Sequence, residues 1–349
     1  MLKHKISALE FGPRLSRLAA AVSGATFFFG SIAFGEGSLQ IRKIPDEYEN
    51  TGGHGLALGD AGVAIASGVS AVRLNPAMLP LEKQYTVGAD YHWPSRGREF
   101  YQAGVVDSKT STVAAGFTYT GFMEDYEGKR SEEISDSPVI RRFALGLGQS
   151  FGKLSLGANG EFVEAFDKND PTKVDQQRIK GTSFGMGAAS LITPTLRVGG
   201  SVENLANKRI RDYAPRTMRV GGALLLAGGD VTTQLDYRHR DRLTRFESAP
   251  RLPVSLRPAE DGNSYEDPES STQELKPEQM VIASVSARIY DHLRLLGAYG
   301  QALTDDRKSL SGGIALVNNK FALSYAASRP YMDSTAAHQA VHLSISIML

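Results

Sequence analysis

Apolar and polar residues alternate along most of the chain after residue 84, in segments of about ten residues. The last segment shows this most clearly, with Val341, Leu343 and Ile345 on one face and His342 and Ser344 on the other. A period of two residues without a helical period is typical of antiparallel β-sheet. The alternation predicts about fourteen strands, at residues 84–93, 98–107, 111–121, 138–149, 153–164, 179–191, 195–203, 216–226, 230–239, 279–289, 292–301, 308–317, 320–328 and 338–349.

The connections between these segments alternate in length, which indicates how the strands are arranged. Tight turns are predicted at residues 108–110, 150–152, 193–194, 228–229, 290–291 and 318–319. Mostly longer, polar connections lie between them, at residues 122–137, 165–178, 204–215, 240–278, 302–307 and 329–337, and the short connection 94–97 is an exception. Short turns on one side and long loops on the other are typical of bacterial outer-membrane barrels. The predicted fold class is all-β, an antiparallel transmembrane β-barrel of about fourteen strands with an N-terminal plug. A soluble β-sandwich is the alternative.

The N-terminus carries an export signal. Basic residues within 1–17 precede the uncharged run 18–35, which ends in Ala33-Phe34-Gly35. Small residues at these positions predict cleavage after Gly35, so residues 1–35 form a signal peptide. A single membrane anchor is the alternative interpretation. Export together with a barrel predicts the outer membrane of a Gram-negative bacterium, with outer-membrane lipid and lipopolysaccharide as surroundings.

The segment between the signal peptide and the first strand lacks the alternation. Its second half, residues 52–80, is rich in glycine and small apolar residues. Because a barrel of this strand number leaves a lumen too wide for side chains to fill, we expect residues 36–83 to plug it as a hatch. A periplasmic linker is the alternative, although a linker is normally more polar. The predicted organisation is a signal peptide at 1–35, a hatch at 36–83 and a barrel at 84–349.

Composition excludes several kinds of chemistry. The chain has no cysteine, and its net charge of +1 gives no basic surface for nucleic acid. No cofactor or metal site is predicted. His338 and His342 share a strand face, and a polar wall of the lumen is the first interpretation; a contribution to a metal site is the alternative, although no carboxylate is close enough in sequence to complete it. Ser150 lies in a G-x-S-x-G match at Gly148–Gly152, yet a hydrolase needs that serine between a strand and a helix, and here a tight turn between strands is predicted. We therefore expect no enzyme.

Charged residues are predicted to lie on the inner face and in one long loop. Inward-facing arginines of the strands are expected to pair with acids such as Asp90, Glu161 or Asp236. The acidic connection 240–278 is interpreted as a solvated surface loop; contact with lipopolysaccharide or with a partner is the alternative.

The dipeptide Asn75-Pro76 predicts a defined corner between the hatch and the first strand. Pro76 moves Asn75 away from helical dihedral angles and has no N–H of its own. The Asn75 side chain can bond nearby backbone groups in a turn. A structural role is the first interpretation, and a role in gating is the alternative hypothesis.

Residues 55–66 (GLALGDAGVAIA), followed by residues 71–77 (AVRLNPA), resemble the N-terminal hatch of the FadL/TodX family of outer-membrane barrels. They resemble equally the start of the related PorV-type barrels. The resemblance implies a hatch motif at Asn75, Pro76 and Ala77. Apolar hatch residues then define the predicted path of a hydrophobic ligand, and these are Leu56, Leu58, Val63 and Ile65.

Two functions follow from the resemblance. The FadL branch passes hydrophobic small molecules of the long-chain fatty acid or hydrocarbon type, and this is the expected function. The PorV branch implies an outer-membrane partner in protein secretion or surface assembly, with a secreted or surface protein bound and no small-molecule transport. The chain departs from the family in being shorter than a typical FadL transporter and in ending with Leu349 where many barrels end with an aromatic residue.

Overall fold

The alternating segments form β-strands in the computed structural model. It describes residues 53–94, 100–122, 139–167, 177–206, 210, 214–241, 245–246, 272–273, 277–304, 307–318, 320–329 and 338–347. The predicted signal peptide, the first part of the hatch, the short connection after residue 94 and most of the acidic connection lie outside these residues. Among the residues described, no helix has the length and apolarity that a membrane span requires.

The described residues form sixteen strands, in chain order β1 Tyr85–Pro94, β2 Phe100–Asp107, β3 Val113–Phe122, β4 Val139–Phe151, β5 Leu154–Asp167, β6 Gln177–Leu191, β7 Leu196–Glu203, β8 Thr217–Leu226, β9 Val231–Arg240, β10 Arg245–Phe246, β11 Thr272–Gln273, β12 Glu278–Tyr290, β13 Leu293–Ala302, β14 Lys308–Val317, β15 Phe321–Arg329 and β16 His338–Ile347. Fourteen of them close into one barrel, and β10 pairs only with β11. Every predicted strand is found, with no described end more than three residues from its predicted position. The predicted fold class is confirmed.

Every barrel strand pairs antiparallel with its neighbours along the chain, and β9 pairs with β12 across the long acidic connection. The ring closes where β1 meets β16, with Tyr85 opposite Ile347 and Pro94 opposite His338. Tyr85 also pairs with Asp107, which directly precedes the tight β2–β3 turn. The barrel therefore begins and ends at its tight-turn end.

The barrel is apolar on the outside, the reverse of a water-soluble protein. On β4, the outward-facing Leu145 is 54% exposed and Leu147 is 47% exposed. The neighbouring Ala144 faces inward and is only 2% exposed. Buried polar side chains such as Thr118 and Gln234 face the lumen instead. A continuous apolar exterior of this size suits the hydrocarbon of a bilayer and not water. The sandwich alternative, which would bury this face in a two-layer core, is wrong.

Aromatic side chains mark the long-loop end of the outer surface. The Tyr91 and Trp93 rings lie 5.6 Å apart, and Trp93 lies 6.3 Å from the Tyr325 ring. Tyr101 and Tyr119 form a second pair at 5.7 Å. Rings with one polar edge concentrate where hydrocarbon meets headgroups, so this band is typical of one membrane interface.

The described part of the hatch, residues 53–83, lies in the lumen. It contains helix α1 (Gly53–Ala57), helix α2 (Gly68–Leu74) and a 3₁₀ helix (Pro76–Leu81). Helix α1 packs on β14, β15 and β16, α2 packs on β1 to β4, and the 3₁₀ helix packs on β4, β5 and β6. Residues 58–60 and 63–65 form turns between α1 and α2, with Ala66 N donating to Gly62 O at 2.7 Å.

Glycines of the barrel wall face the hatch where the two segments come closest. A Cβ atom on Gly187 would lie 2.0 Å from the Asn75 Oδ1 atom, and one on Gly157 would lie 2.4 Å from the Ala77 nitrogen. Only glycine fits such approaches. Comparable crowding against hatch atoms occurs at Gly104, Gly116, Gly146, Gly148, Gly199 and Gly313. The close packing of hatch and wall thus accounts for these eight of the 36 glycines in the chain.

Candidate functional site: the contact between hatch and barrel wall

Asn75 is the buried centre of the hatch motif. Its Nδ2 atom donates to the Val63 carbonyl at 2.7 Å and to the Ala188 carbonyl of β6 at 3.3 Å. Its Oδ1 atom accepts from Ala77 N at 3.1 Å. One side chain therefore joins the 62–66 turn, the start of the 3₁₀ helix and the wall. These bonds fit the structural role expected for Asn75, and gating stays a hypothesis.

The other two motif residues continue this attachment along the wall. Pro76 is the first residue of the 3₁₀ helix, a position where the missing N–H costs no hydrogen bond. The Ala77 carbonyl accepts from the Ser155 hydroxyl of β5 at 2.6 Å. Ala77 is fully buried, and Gly157 lies directly beneath it. The motif is thus the place where the hatch backbone lies on β5 and β6.

The residues of the predicted ligand path do not share one surface. Leu56 and Leu58 are buried together against the β13–β16 wall, in a cluster with residues such as Leu296 and Ala326. Val63 is fully buried at a different wall, where its carbonyl accepts from Asn75. Ile65 is half-buried. The path through these four residues stays a prediction.

A carboxylate of the hatch is held by two arginines of the wall. The Asp60 Oδ2 atom lies 3.0 Å from Arg219 Nη2 and 2.7 Å from Arg238 Nη1. Arg219 also pairs with Glu203 of β7, and Arg238 lies 3.6 Å from Glu278 of β12. All five side chains are buried. Buried charges are stable only when they are paired, so this network fixes the hatch on β8 and β9.

A second contact has its carboxylate on the wall and its hydrogen-bond donors on the hatch. The Asp236 Oδ2 atom of β9 accepts from the backbone nitrogens of Gly62 at 2.6 Å and Val63 at 2.9 Å. Charge-assisted bonds to backbone donors are stronger than neutral ones. Together with Asp60, Asp236 therefore clamps the 60–63 turn between two neighbouring strands.

Two further polar contacts surround the hatch. Arg73 of α2 pairs with Glu161 of β5 at 3.1 Å. On the side of α1, the His342 and Asp90 side chains are 2.7 Å apart. Desolvation lowers the pKa of the His54 imidazole to about 4, and the charges of His342 and Arg294 act in the same direction. His54 is therefore neutral at neutral pH.

Sequence reasoning missed Asp60 and Arg73 as attachment points. The sequence contains a signal for both, because they are the only Asp, Glu, Lys or Arg residues within 52–80. A charge inside an otherwise small and apolar segment signals a buried partner.

The serine motif has no hydrolase context. Ser150 lies near the end of β4, and its hydroxyl lies 3.3 Å from the Gly152 carbonyl in the turn to β5. The arrangement is strand, turn and strand, without the helix that presents a nucleophile.

Comparison with solved structures identifies the fold. The chain is similar to the toluene transporter TbuX of Ralstonia pickettii, with a TM-score of 0.57, 14% identity and coverage of 86% of this chain and 98% of that chain. It is similar to the CymD monoaromatic hydrocarbon channel, with a TM-score of 0.56, 12% identity and coverage of 85% and 96%. The toluene transporter TodX of Pseudomonas putida gives a TM-score of 0.56, 11% identity and coverage of 85% and 97%.

No protein-family model and no curated protein matches the sequence. At identities this low the similarity concerns the fold. The chain therefore has the fold of the TodX-type barrels that its hatch motif resembles.

Proposed function

We propose that this protein is a channel of the Gram-negative outer membrane that passes hydrophobic small molecules. The observation that carries the proposal is a barrel with an apolar exterior whose lumen is occupied by its own N-terminal segment. The named functions of TbuX, CymD and TodX, which share this fold, support the same conclusion.

The position of the hatch argues against free diffusion of water-soluble molecules. Within the described residues it reaches from β14–β16 on one side to β4–β6 on the other. An open porin instead has a water-filled lumen. Passage here requires a rearrangement of the hatch or a route along its surface, and that surface includes buried apolar residues such as Leu56, Leu58 and Val72.

The charges around the hatch favour neutral hydrocarbons over fatty acids. A fatty acid carboxylate would need a cationic or hydrogen-bonding partner in the lumen. Three arginines at the contact between hatch and wall already have carboxylate partners: Arg73 has Glu161, Arg219 has Asp60 and Glu203, and Arg238 has Asp60. The substrate class we propose is therefore neutral and apolar. The secretion-partner function stays a prediction, since no contact described above favours it.

Uptake by cells tests the proposal. The full chain is produced in a Gram-negative host without its own channel of this type, and accumulation of labelled toluene and labelled palmitate is compared with the empty vector. We expect faster toluene uptake and little change for palmitate. Folded protein in the outer membrane is verified by its heat-dependent electrophoretic mobility. Correctly assembled protein that leaves uptake of toluene, larger hydrocarbons and palmitate unchanged would contradict the proposed function.

A further inference from the structure

A row of charged side chains crosses the outer surface of the barrel near the long-loop ends of β4, β5 and β6. Arg141, Glu164 and Lys180 lie opposite one another in the register of these strands. Each lies an even number of positions from an exposed phenylalanine of its own strand, so all three face outward. Lys180 Nζ lies 3.2 Å from Glu164 Oε1, and the Lys180 side chain is 46% exposed. We call these three residues the charged row; it carries two cations and one carboxylate.

Two tyrosine hydroxyls lie beside the charged row. Arg141 pairs in register with Gly121 of β3, and the Tyr101 ring lies over that glycine. A Cβ atom on Gly121 would be 2.7 Å from the Tyr101 hydroxyl oxygen. The Tyr101 and Tyr119 hydroxyls are 3.4 Å apart. Because a hydroxyl can donate a hydrogen bond, this part of the surface offers neutral donors next to a cation.

An apolar groove lies beside the charged row, toward the tight-turn end of the same strands. Its floor is Gly160 of β5, which lies opposite Leu145 on one side and Phe184 on the other. Gly160 has no side chain, and the nearest atom to a Cβ placed there is 3.9 Å away, so a gap remains between its neighbours. The groove has a volume of about 280 Å³, and Phe143 and Phe162 line it on the side of the charged row. We call it the outer groove.

The outer groove opens to the bilayer, so its occupant is a component of the membrane. An apolar groove suits an acyl chain, and cations with hydroxyl donors beside them suit a phosphate. Lys180 and Phe184 are four positions apart on β6, which is about 13 Å along a strand, so one lipid can reach both. Long loops face the exterior of the cell, so this lipid belongs to the outer leaflet.

We infer that the charged row and the outer groove form a binding site for lipopolysaccharide. A phosphate of its lipid A lies on Arg141 and Lys180, and one acyl chain lies in the groove over Gly160. The site is on the outside of the wall, away from the hatch, and does not depend on what passes through the lumen.

Native mass spectrometry tests the charged row. Delipidated full-length protein in detergent is titrated with phosphorylated lipid A. Arg141→Ala and Lys180→Ala should each weaken binding about fivefold, the effect of one cation beside an anionic lipid. Glu164→Gln should strengthen binding by a similar factor, because a competing carboxylate is lost, and damage to the fold would not produce such a gain. Lys153→Ala is the matched control, since Lys153 is exposed in the turn at the other end of β4 and β5.

A second pair of variants tests the outer groove. Gly160→Leu fills its floor and should weaken binding about tenfold, because about two methylene groups of the acyl chain lose their contact. Gly297→Leu is the matched control: Gly297 lies two positions from the exposed Tyr299 on β13, and the nearest atom to its Cβ is likewise 3.9 Å away. Heat-dependent electrophoretic mobility verifies that each variant is folded.

Weaker binding by Arg141→Ala, Lys180→Ala and Gly160→Leu, with both controls like the wild type, would support the inference. Equal affinities of all folded variants would overturn it. Dephosphorylated lipid A or phosphatidylglycerol bound as tightly as phosphorylated lipid A would also overturn it, because the site would then accept membrane lipids in general. A protein dimer that forms without lipid and is lost in Gly160→Leu would assign the groove to a second copy instead. Toluene uptake plays no part in these measurements, so the inference and the proposed function can fail separately.

Discussion

The Asp60 carboxylate of the hatch lies 2.7 Å from the Arg238 guanidinium of β9. Both side chains are buried. The backbone of Asp60 has a φ of 69°, in the left-handed region. Asp tolerates this region better than most residues because its short side chain is polar. Arg219 completes the arrangement on the neighbouring strand at 3.0 Å. At this attachment point a single hatch carboxylate is thus shared by two wall cations.

Asp60→Ala is expected to loosen the hatch. Removing one partner of a buried ion pair costs about 3–5 kcal/mol, because the remaining charge stays buried without compensation. The rate of amide hydrogen exchange in residues 53–83 should rise by the factor that corresponds to this loss of free energy. The exchange rate of the barrel strands should change little. The exposed pair Arg288–Asp230, at 3.2 Å, supplies the control, and Arg288→Ala should cost about 0–1 kcal/mol. An Asp60→Ala hatch as protected as the wild type would show that the pair is dispensable.

Asn75→Asp is expected to be more harmful than Asn75→Ala. Alanine leaves the buried carbonyls of Val63 and Ala188 without their donor, at a cost of about 1–3 kcal/mol. Aspartate adds a negative charge facing those two carbonyl oxygens, so its penalty should be larger. Thermal unfolding of the purified barrel and amide exchange of the hatch measure both effects. The gating hypothesis requires in addition that toluene uptake changes; unaltered uptake by a folded Asn75→Ala protein would leave Asn75 a purely structural residue.

Gly187→Ala should reproduce the effect of losing Asn75. The new Cβ atom would lie 2.0 Å from Asn75 Oδ1, so the amide must leave its position or β6 must shift. Overpacking of this kind typically costs about 1–3 kcal/mol. Gly160→Ala on β5 is the matched control, since the nearest atom to its Cβ, on Phe184, is 3.9 Å away. Equal protection of the hatch amides from exchange in the two alanine variants would mean that β6 shifts at Gly187 and leaves Asn75 in place.

The strands could be predicted from the sequence, but most attachments of the hatch could not. Alternation is a local property, and it located each strand of the barrel because the inward and outward positions of these strands differ in polarity. Contacts across the lumen join distant residues: Asp90 and His342 are 252 positions apart in the chain and 2.7 Å apart in space. The pairing of inward-facing charges depends on how the barrel closes and on where the hatch lies in the lumen. Neither of these produces a local pattern in the sequence.

Two acids show this difference. Glu161 and Asp236 were expected to pair with arginines of the strands. Glu161 pairs with Arg73 of the hatch instead, and Asp236 accepts two backbone N–H groups of the hatch. The expectation of inward-facing acids was therefore sound, but their partners come from a segment whose position in the lumen cannot be read from the periodicity of the strands.

A charge on the outer surface should destabilise the barrel according to its depth in the membrane. Leu235 lies at the middle of β9 and is 59% exposed, whereas Leu226 ends β8 beside the tight turn and is 44% exposed. Leu235→Arg should cost about 2–4 kcal/mol near the bilayer midplane, and Leu226→Arg about 0–1 kcal/mol near the interface. Reversible unfolding from lipid vesicles in denaturant measures the difference. A barrel surrounded by water would tolerate both arginines equally, so equal stabilities would contradict its placement in a membrane; a depth-dependent loss would confirm that the exposed leucines contact lipid.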